Sequence, residues 1–369
     1  MAGFWRTDAV RPRAAEVYGH TALRGLAALC VVGYHAALIA KAGAGGWGPV
    51  TGFLLSSFLF VDLFFMLSGF IMVEAYGASL RSALSGALGG GGGGLRPVLS
   101  YWRKRALKIL PNYYIWLAVA IGFWSLRAAY FNNPQLQDPC FGPAIAAHLA
   151  LVQSFTETCI SFNTPLWSIV VELIAYLAFP LLVLALPAWP VLGLGGLALY
   201  AWVYLGQGTI DVLTDHPSVL RCLAGFSIGM ALVPLSRALP RAVLVWGQGL
   251  AFLAVLVAVS WDAQPLALVC IACLVALTAQ NLGPLVALLR WRVFYLLGRA
   301  SFSIYLAHVP LLGLLNLVLS KLQSEIGVPL AGDWRLFVPI CILICALAGL
   351  MAYMRIEHPL ERLGRPRKT

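Results

Sequence analysis

The feature that most constrains this chain is a succession of apolar stretches separated by short polar links. About 20 apolar residues in a helix cross a hydrocarbon core, and backbone in lipid must satisfy its hydrogen bonds within the segment. Ten stretches approach that length, near residues 21–40, 57–77, 109–129, 165–186, 190–206, 219–236, 243–261, 264–282, 293–316 and 335–355. The predicted fold class is an all-α polytopic membrane protein of about ten transmembrane helices. Composition agrees: 61% of residues are hydrophobic and 11% charged, where a soluble domain carries about a quarter charged residues. No polar stretch is long enough for a soluble catalytic domain. The predicted organisation is a cytoplasmic N-terminal segment over 1–18, a membrane domain over 19–356 and a basic cytoplasmic tail over 357–369. The N-terminal segment lacks a clear small-residue cleavage site, so the first helix is expected to be retained.

The net charge of +11 raises nucleic acid as a partner. Its distribution argues otherwise. With the N-terminus in the cytoplasm, 19 of the 25 Lys and Arg residues fall on that side, in the segments Arg6–Arg13, Arg81–Lys108, Arg237–Arg299 and Arg355–Lys368. Lys41, Arg127, Lys321 and Arg335 fall opposite, and Arg24 and Arg221 fall within spans. This is the asymmetry of a membrane protein with both termini cytoplasmic. The bilayer is the expected partner, and nucleic acid is not.

Several local features read as architecture. The glycine run Gly89–Gly94 lacks the Lys-Ser/Thr ending of a phosphate loop and is expected to be a linker. Cys270/Cys273 and Cys341/Cys345 have helical spacing without acidic or His companions, so core packing is expected and no metal. Cys140 and Cys159 share one outer segment and can form a disulfide if that side is oxidising. Between them "AIAAHLALV" is too short to span.

Polar groups inside the spans carry the functional argument, because charge in hydrocarbon is costly and usually faces the protein interior. In "LRGLAALCVVGYHAAL", Arg24 and His35 are eleven residues apart. Eleven residues turn a helix through about 1,100°, so the two share a face about 16 Å apart along the axis. Asp62 lies in the second span, in "FVDLFFMLSGFIM", where Ser68 and Gly69 suit close helix packing. Ser168, Glu172 and Tyr176 recur every four residues in the fourth span, with Glu172 at a depth like that of His35 and Asp62. Ser301, Tyr305 and His308 share a face of the ninth. Together these stripes predict a polar chamber. The first inner loop ends in "YWRKRALKILPNYY", where Arg103, Lys104, Arg105 and Lys108 suit either anionic lipid or a phosphate-bearing ligand.

These stretches, in order, resemble the acyltransferase-3 family of integral membrane acyltransferases, which includes bacterial polysaccharide O-acetyltransferases. The matches are Arg24-x10-His35, "VDLFFMLSGF", the basic cluster before Pro111, "LWSIVVELIAYLAFPLL", "LGRASFSIYLAHVPLL" and "IEHPLERL". The resemblance implies a ten-helix fold and transfer of an acyl group, acetyl first among candidates, from cytosolic acyl-CoA to a hydroxyl. The implied acceptor is a carbohydrate, either a surface polysaccharide or its lipid-linked precursor. The implied location is the plasma membrane, as in a bacterial inner membrane. The family's Arg-x10-His pair is functionally essential, which carries over to Arg24 and His35. Its basic motif often reads Arg-Arg-x-x-Arg; here Lys104-Arg105-x-x-Lys108 keeps charge but loses bidentate geometry.

The combined expectation is that Arg24, Arg103, Arg105 and Lys108 hold the phosphates of coenzyme A. His35 acts as general base, Asp62 or Glu172 orients its ring, and Ser301 or Tyr305 donates to the developing oxyanion. Ser168, Tyr176 and His308 line the chamber. An acyl-His or acyl-Tyr intermediate stays open, as do small-molecule acceptors. The competing classes are a transporter of lipid-linked sugars, which often shows matching halves not found here, and a structural membrane subunit.

Overall fold

The computed structural model describes residues 17–42, 48–88, 94–130, 139–156, 161–326 and 333–363. Most of the predicted N-terminal segment, the glycines 89–93, Cys159 and the end of the basic tail lie outside the described residues. The described chain is all helical. Its α-helices are α1 (Tyr18–Ile39), α2 (Pro49–Leu55), α3 (Phe60–Met72), α4 (Ala78–Leu88), α5 (Arg96–Tyr130), α6 (Phe141–Leu149), α7 (Leu166–Leu182), α8 (Trp189–Gln207), α9 (Asp215–Ala238), α10 (Arg241–Ser260), α11 (Gln264–Thr278), α12 (Pro284–Leu289), α13 (Arg292–Ile326), α14 (Trp334–Ala352) and α15 (His358–Leu363). Eight helical tracts are long and apolar enough to cross a membrane.

The tract Leu166–Gln207 covers two of the predicted spans. Its contacts show that the two halves of this tract run in opposite directions. Trp167 meets Phe65 of α3 and Phe179 meets Phe226 of α9, so α7 runs in the same direction as α3 and α9. On α8 the order inverts: Tyr200 approaches Gly225, whereas Gly193 approaches Ala231. The chain therefore reverses through the turn Val183–Ala188, where Pro187 and then Pro190 interrupt α-helical bonding. The predicted span 264–282 contains α11, only 15 residues long. Gln264 at its start accepts a hydrogen bond from the Ile210 amide, and Val275 near its end meets His20.

The loop predicted between the second and third spans is largely helical. The second span continues through a π-helical segment, Val73–Gly77, into α4, and α5 begins at Arg96 rather than near residue 109. The basic cluster is thus on a helix, one to two turns ahead of Pro111, which lies inside α5. Neighbouring helices and local adjustment of hydrogen bonding make such prolines tolerable in membrane helices.

Small residues bring the central helices together. A Cβ on Gly69 would collide with the Phe226 carbonyl, and one on Gly229 with the Met66 carbonyl. α3 and α9 therefore meet backbone to backbone, as expected where dispersion rather than hydrophobic exclusion drives helix association. Gly25 and Gly298 do the same for α1 and α13. The periphery carries exposed apolar side chains, among them Leu181, Leu205 and Trp246, which suits contact with acyl chains.

Candidate active site

α1 carries Arg24 and His35 to opposite ends of a run of cavities. At the basic end, a cavity of about 280 Å³ is walled by Arg24, Lys108, Arg299, Glu74 and Glu357. A narrow passage of about 40 Å³ shares Arg24 and Phe302 with it, and is otherwise walled by Ser68, Ser168, Glu172, Ser301 and Tyr305. That passage shares Val61 and Tyr305 with a third cavity of about 200 Å³, walled by Tyr34, His35, Asp211 and Arg221. Arg24 and His35, predicted to share a helical face, thus wall the two ends of a run of three adjoining cavities.

His35 is held by backbone and by a second histidine. Its Nδ1 lies 3.0 Å from the Val31 carbonyl oxygen and 3.2 Å from His308 Nε2. His308 Nδ1 lies 2.6 Å from the Tyr305 carbonyl oxygen. Carbonyl oxygens only accept, so Nδ1 of each ring carries the hydrogen when the rings are neutral. His308 Nε2 is then an acceptor and takes a bond from His35 Nδ1. The remaining nitrogen of His35, Nε2, keeps its lone pair and makes no hydrogen bond among the described residues. Such a nitrogen can take a proton.

The ring partner of His35 is His308, and neither predicted carboxylate fills that place. Asp62 is fully buried against Arg221, 2.7 Å from Nη2, and accepts a 2.9 Å bond from Tyr200. Arg221 also reaches the Phe58 carbonyl and lies 5.4 Å from the centre of the Trp167 ring. Asp62 walls none of the cavities described above; it ties α3, α8 and α9 together.

Glu172 accepts hydrogen bonds from Ser68 and from Tyr176, the latter at 2.6 Å. It is level with Ser68, six residues or about 9 Å along α3 from Asp62. The depth predicted from the sequence is therefore corrected. Asn163, three residues ahead of α7, is fully buried and donates to the Leu306 carbonyl. α7 starts inside the bundle, and Glu172 is pushed toward Arg24 rather than His35. Ser68 is likewise a donor to this carboxylate, whereas Gly69 alone makes the close packing contact.

The other predicted residues divide. Ser168 and Tyr305 are bonded to each other at 2.8 Å, and Ser168 also donates to the Pro165 carbonyl. Ser301 walls the passage, and its buried hydroxyl has no partner. Within the basic cluster, Lys108 joins Arg24 at the first cavity. Arg105 instead donates to the Tyr76 hydroxyl at 2.9 Å and stacks on that ring, and Arg103 is exposed.

Arg299, Asp211 and Tyr34 in the cavity walls, and Tyr200 against Asp62, escaped the sequence reading. Arg299 was counted only toward topology, though it lies two residues before Ser301. Asp211, Tyr34 and Tyr200 had no in-span charge pattern to mark them. Tyr34 donates to Asp211 at 3.1 Å, and Asp211 lies 3.7 Å from Arg221. Outside the route, Cys140 is disulfide-bonded.

Comparison with known proteins gives the chain a family. A family model described as an acyltransferase domain, of the acyltransferase-3 type, matches residues 17–353. Acyltransferase MdmB of Streptomyces mycarofaciens is 32% identical over 125 residues, 33% of this chain and 27% of that protein. The match thus spans about a quarter of the relative's length. No solved structure matches. The family match covers both ends of the cavity run and nearly the whole described chain: the chain belongs to the acyltransferase-3 family.

Proposed function

We propose that this acyltransferase moves an acyl group, acetyl first among candidates, from cytosolic acyl-CoA to a carbohydrate hydroxyl. The acceptor on this reading is a surface polysaccharide or its lipid-linked precursor. The observation that carries the reading is the unpaired Nε2 of His35 at the far end of a route that starts between Arg24 and Lys108.

The chain makes ten passes with both termini in the cytoplasm, a reading supported by the reversal at Val183–Ala188, by α11, and by the basic residues gathered at one end. The membrane is the plasma membrane, a bacterial inner membrane by family analogy. Arg24, Lys108 and Arg299 bind the phosphates at the cytoplasmic mouth by charge-assisted hydrogen bonds. Arg103 contributes from the exposed face of α5. Arg105 positions Tyr76 and, through it, the wall of the passage. The pantetheine arm extends past Ser301 and Glu172 toward His35, about 16 Å from Arg24 along α1.

In the reaction, the acceptor oxygen attacks the thioester carbonyl carbon while His35 Nε2 takes the hydroxyl proton. The imidazolium formed is stabilised by His308 Nε2, which accepts from Nδ1–H. The C–S bond breaks, the proton passes to the leaving thiolate, and the products are an ester and coenzyme A. Tyr305, which walls both the passage and the His35 cavity, supplies the hydrogen bond to the oxyanion. Glu172 orders Ser68 and Tyr176 beside the passage, and Asp62 holds Arg221 in the wall of the His35 cavity.

Mass spectrometry of surface glycans from cells with and without the protein tests the reading. An acyl-sized mass difference, absent when His35→Ala replaces the wild type, is expected. Normal acylation by a folded His35→Ala protein would remove His35 from the chemistry.

A further inference from the structure

Beyond the His35 cavity, away from the basic end, lies a fourth cavity of about 240 Å³. It shares Thr164, Trp167 and Leu213 with the His35 cavity. It is far larger than the ~10–15 Å³ that admits a single water. Its walls are unusually polar for the interior of a membrane bundle, where unsatisfied groups are costly.

Among the described residues, eleven buried side-chain nitrogen and oxygen atoms have no hydrogen-bond partner. Four belong to residues walling this one cavity: His148 Nε2, Gln153 Oε1, Ser154 Oγ and Asn163 Oδ1. The described route toward the donor end contributes only His20 Nδ1 and Ser301 Oγ. The four residues are at most 7% exposed. Orphaned buried groups in such number call for a partner that the chain itself does not supply.

Three of the four can only accept, and the fourth, the Ser154 hydroxyl, can donate or accept. His148 Nδ1 is spent on the Ala144 carbonyl, so Nε2 is an acceptor in the neutral ring. The amide nitrogens of Gln153 and Asn163 already donate to the Tyr113 hydroxyl and the Leu306 carbonyl, which leaves their oxygens as acceptors. Asp215 adds a carboxylate at the mouth, and no Lys or Arg lines the cavity. Its neighbours fix this wall: Tyr113 donates to the His148 carbonyl, and the Asp215 amide donates to the Ser154 carbonyl. A site rich in acceptors and lacking cations suits a ligand that brings several O–H or N–H donors and repels one that brings negative charge.

We infer that this cavity is a subsite for a polyhydroxyl ligand, neutral or amine-bearing and not anionic, that delivers one hydroxyl across the Thr164–Trp167 wall toward His35. The inference rests on the acyl-transfer reading of the His35 chamber but assigns different residues. It makes Asn163, Gln153, Ser154 and His148 specificity residues for the acceptor, separate from the cationic donor mouth.

The test uses the full chain in lipid nanodiscs and ligand-observed saturation-transfer NMR. The probes are methyl α-D-glucopyranoside, the corresponding methyl glucosaminide and glucose 6-phosphate. Both glycosides are expected to bind and the phosphate is not. Ser154→Ala deletes an unpartnered atom, so it should weaken glycoside binding about threefold to tenfold, the size of one hydrogen bond, without lowering the melting temperature. Asp215→Asn should weaken the glucosaminide alone, and His35→Ala should leave binding of both glycosides intact. No saturation transfer to either glycoside, equal binding of glucose 6-phosphate, or wild-type binding by Ser154→Ala would overturn the subsite. Glycoside binding as expected, with no acyl transfer from acetyl-CoA by the wild type, would leave the subsite standing and overturn the chemistry proposed for His35.

Discussion

His308 Nε2 lies 3.2 Å from His35 Nδ1, joining residues 273 positions apart on α13 and α1. Each ring is fixed by a carbonyl one turn or less away on its own helix, Val31 for His35 and Tyr305 for His308. The pair therefore has a defined direction: hydrogen from His35 Nδ1 to His308, lone pair on His35 Nε2. That direction separates the contributions of the two rings.

His35→Ala should reduce the rate of acyl transfer about 10²- to 10⁴-fold, the usual contribution of a positioned base. His308→Phe keeps the ring volume but removes the acceptor, and should lower kcat by up to about 100-fold through misorientation of His35. The KM for acyl-CoA should stay within twofold or so in both variants. Steady-state kinetics on purified protein checks this; a His308→Phe enzyme with wild-type kcat would break the proposed link.

At the basic end, Lys108→Ala and Arg24→Ala should each weaken coenzyme A binding, by about fivefold for the exposed Lys108. The wild-type affinity should fall with added salt, because exposed charge pairs are screened. Isothermal titration with coenzyme A reads both effects. Salt-independent binding would contradict phosphate recognition at this mouth.

Asp62 and Arg221 form a pair with both side chains fully buried. Asp62→Ala leaves the buried guanidinium only the more distant Asp211, at 3.7 Å, and should destabilise the fold by about 3 kcal/mol. The double variant Asp62→Leu/Arg221→Met removes both charges and should recover most of that loss. Thermal unfolding in detergent distinguishes the two; a stable, inactive Asp62→Ala protein would instead assign the carboxylate to the chemistry.

The α3–α9 contact predicts opposite outcomes for two glycines. Gly229→Leu would force apart backbones already in contact and should abolish the folded protein. Gly249→Ala meets nothing within 4 Å and should be neutral or stabilising by up to about 1 kcal/mol. Fluorescence size-exclusion profiles would show a monodisperse peak for the second variant and its loss for the first.

Sequence alone determined the all-helical class of fold, the shared face of Arg24 and His35, and the helical stripes to which the cavity-wall residues Ser168, Glu172, Ser301 and Tyr305 belong, because helical periodicity and the cost of intramembrane charge both act locally; Tyr176 and His308, on the same stripes, stand behind these walls. Tertiary structure decided the partners. Asp62 and His35 look equally available in sequence, yet Arg221, from a helix more than 150 residues later, claims Asp62. His308 takes the place beside His35, and Glu172 moves to the donor side because α7 begins inside the bundle at the buried Asn163. The polar cavity at His148, Gln153, Ser154 and Asn163 was also beyond sequence reach. Its residues come from segments outside the striking in-span charges, and an unsatisfied acceptor exists only once the fold has assigned every other hydrogen bond.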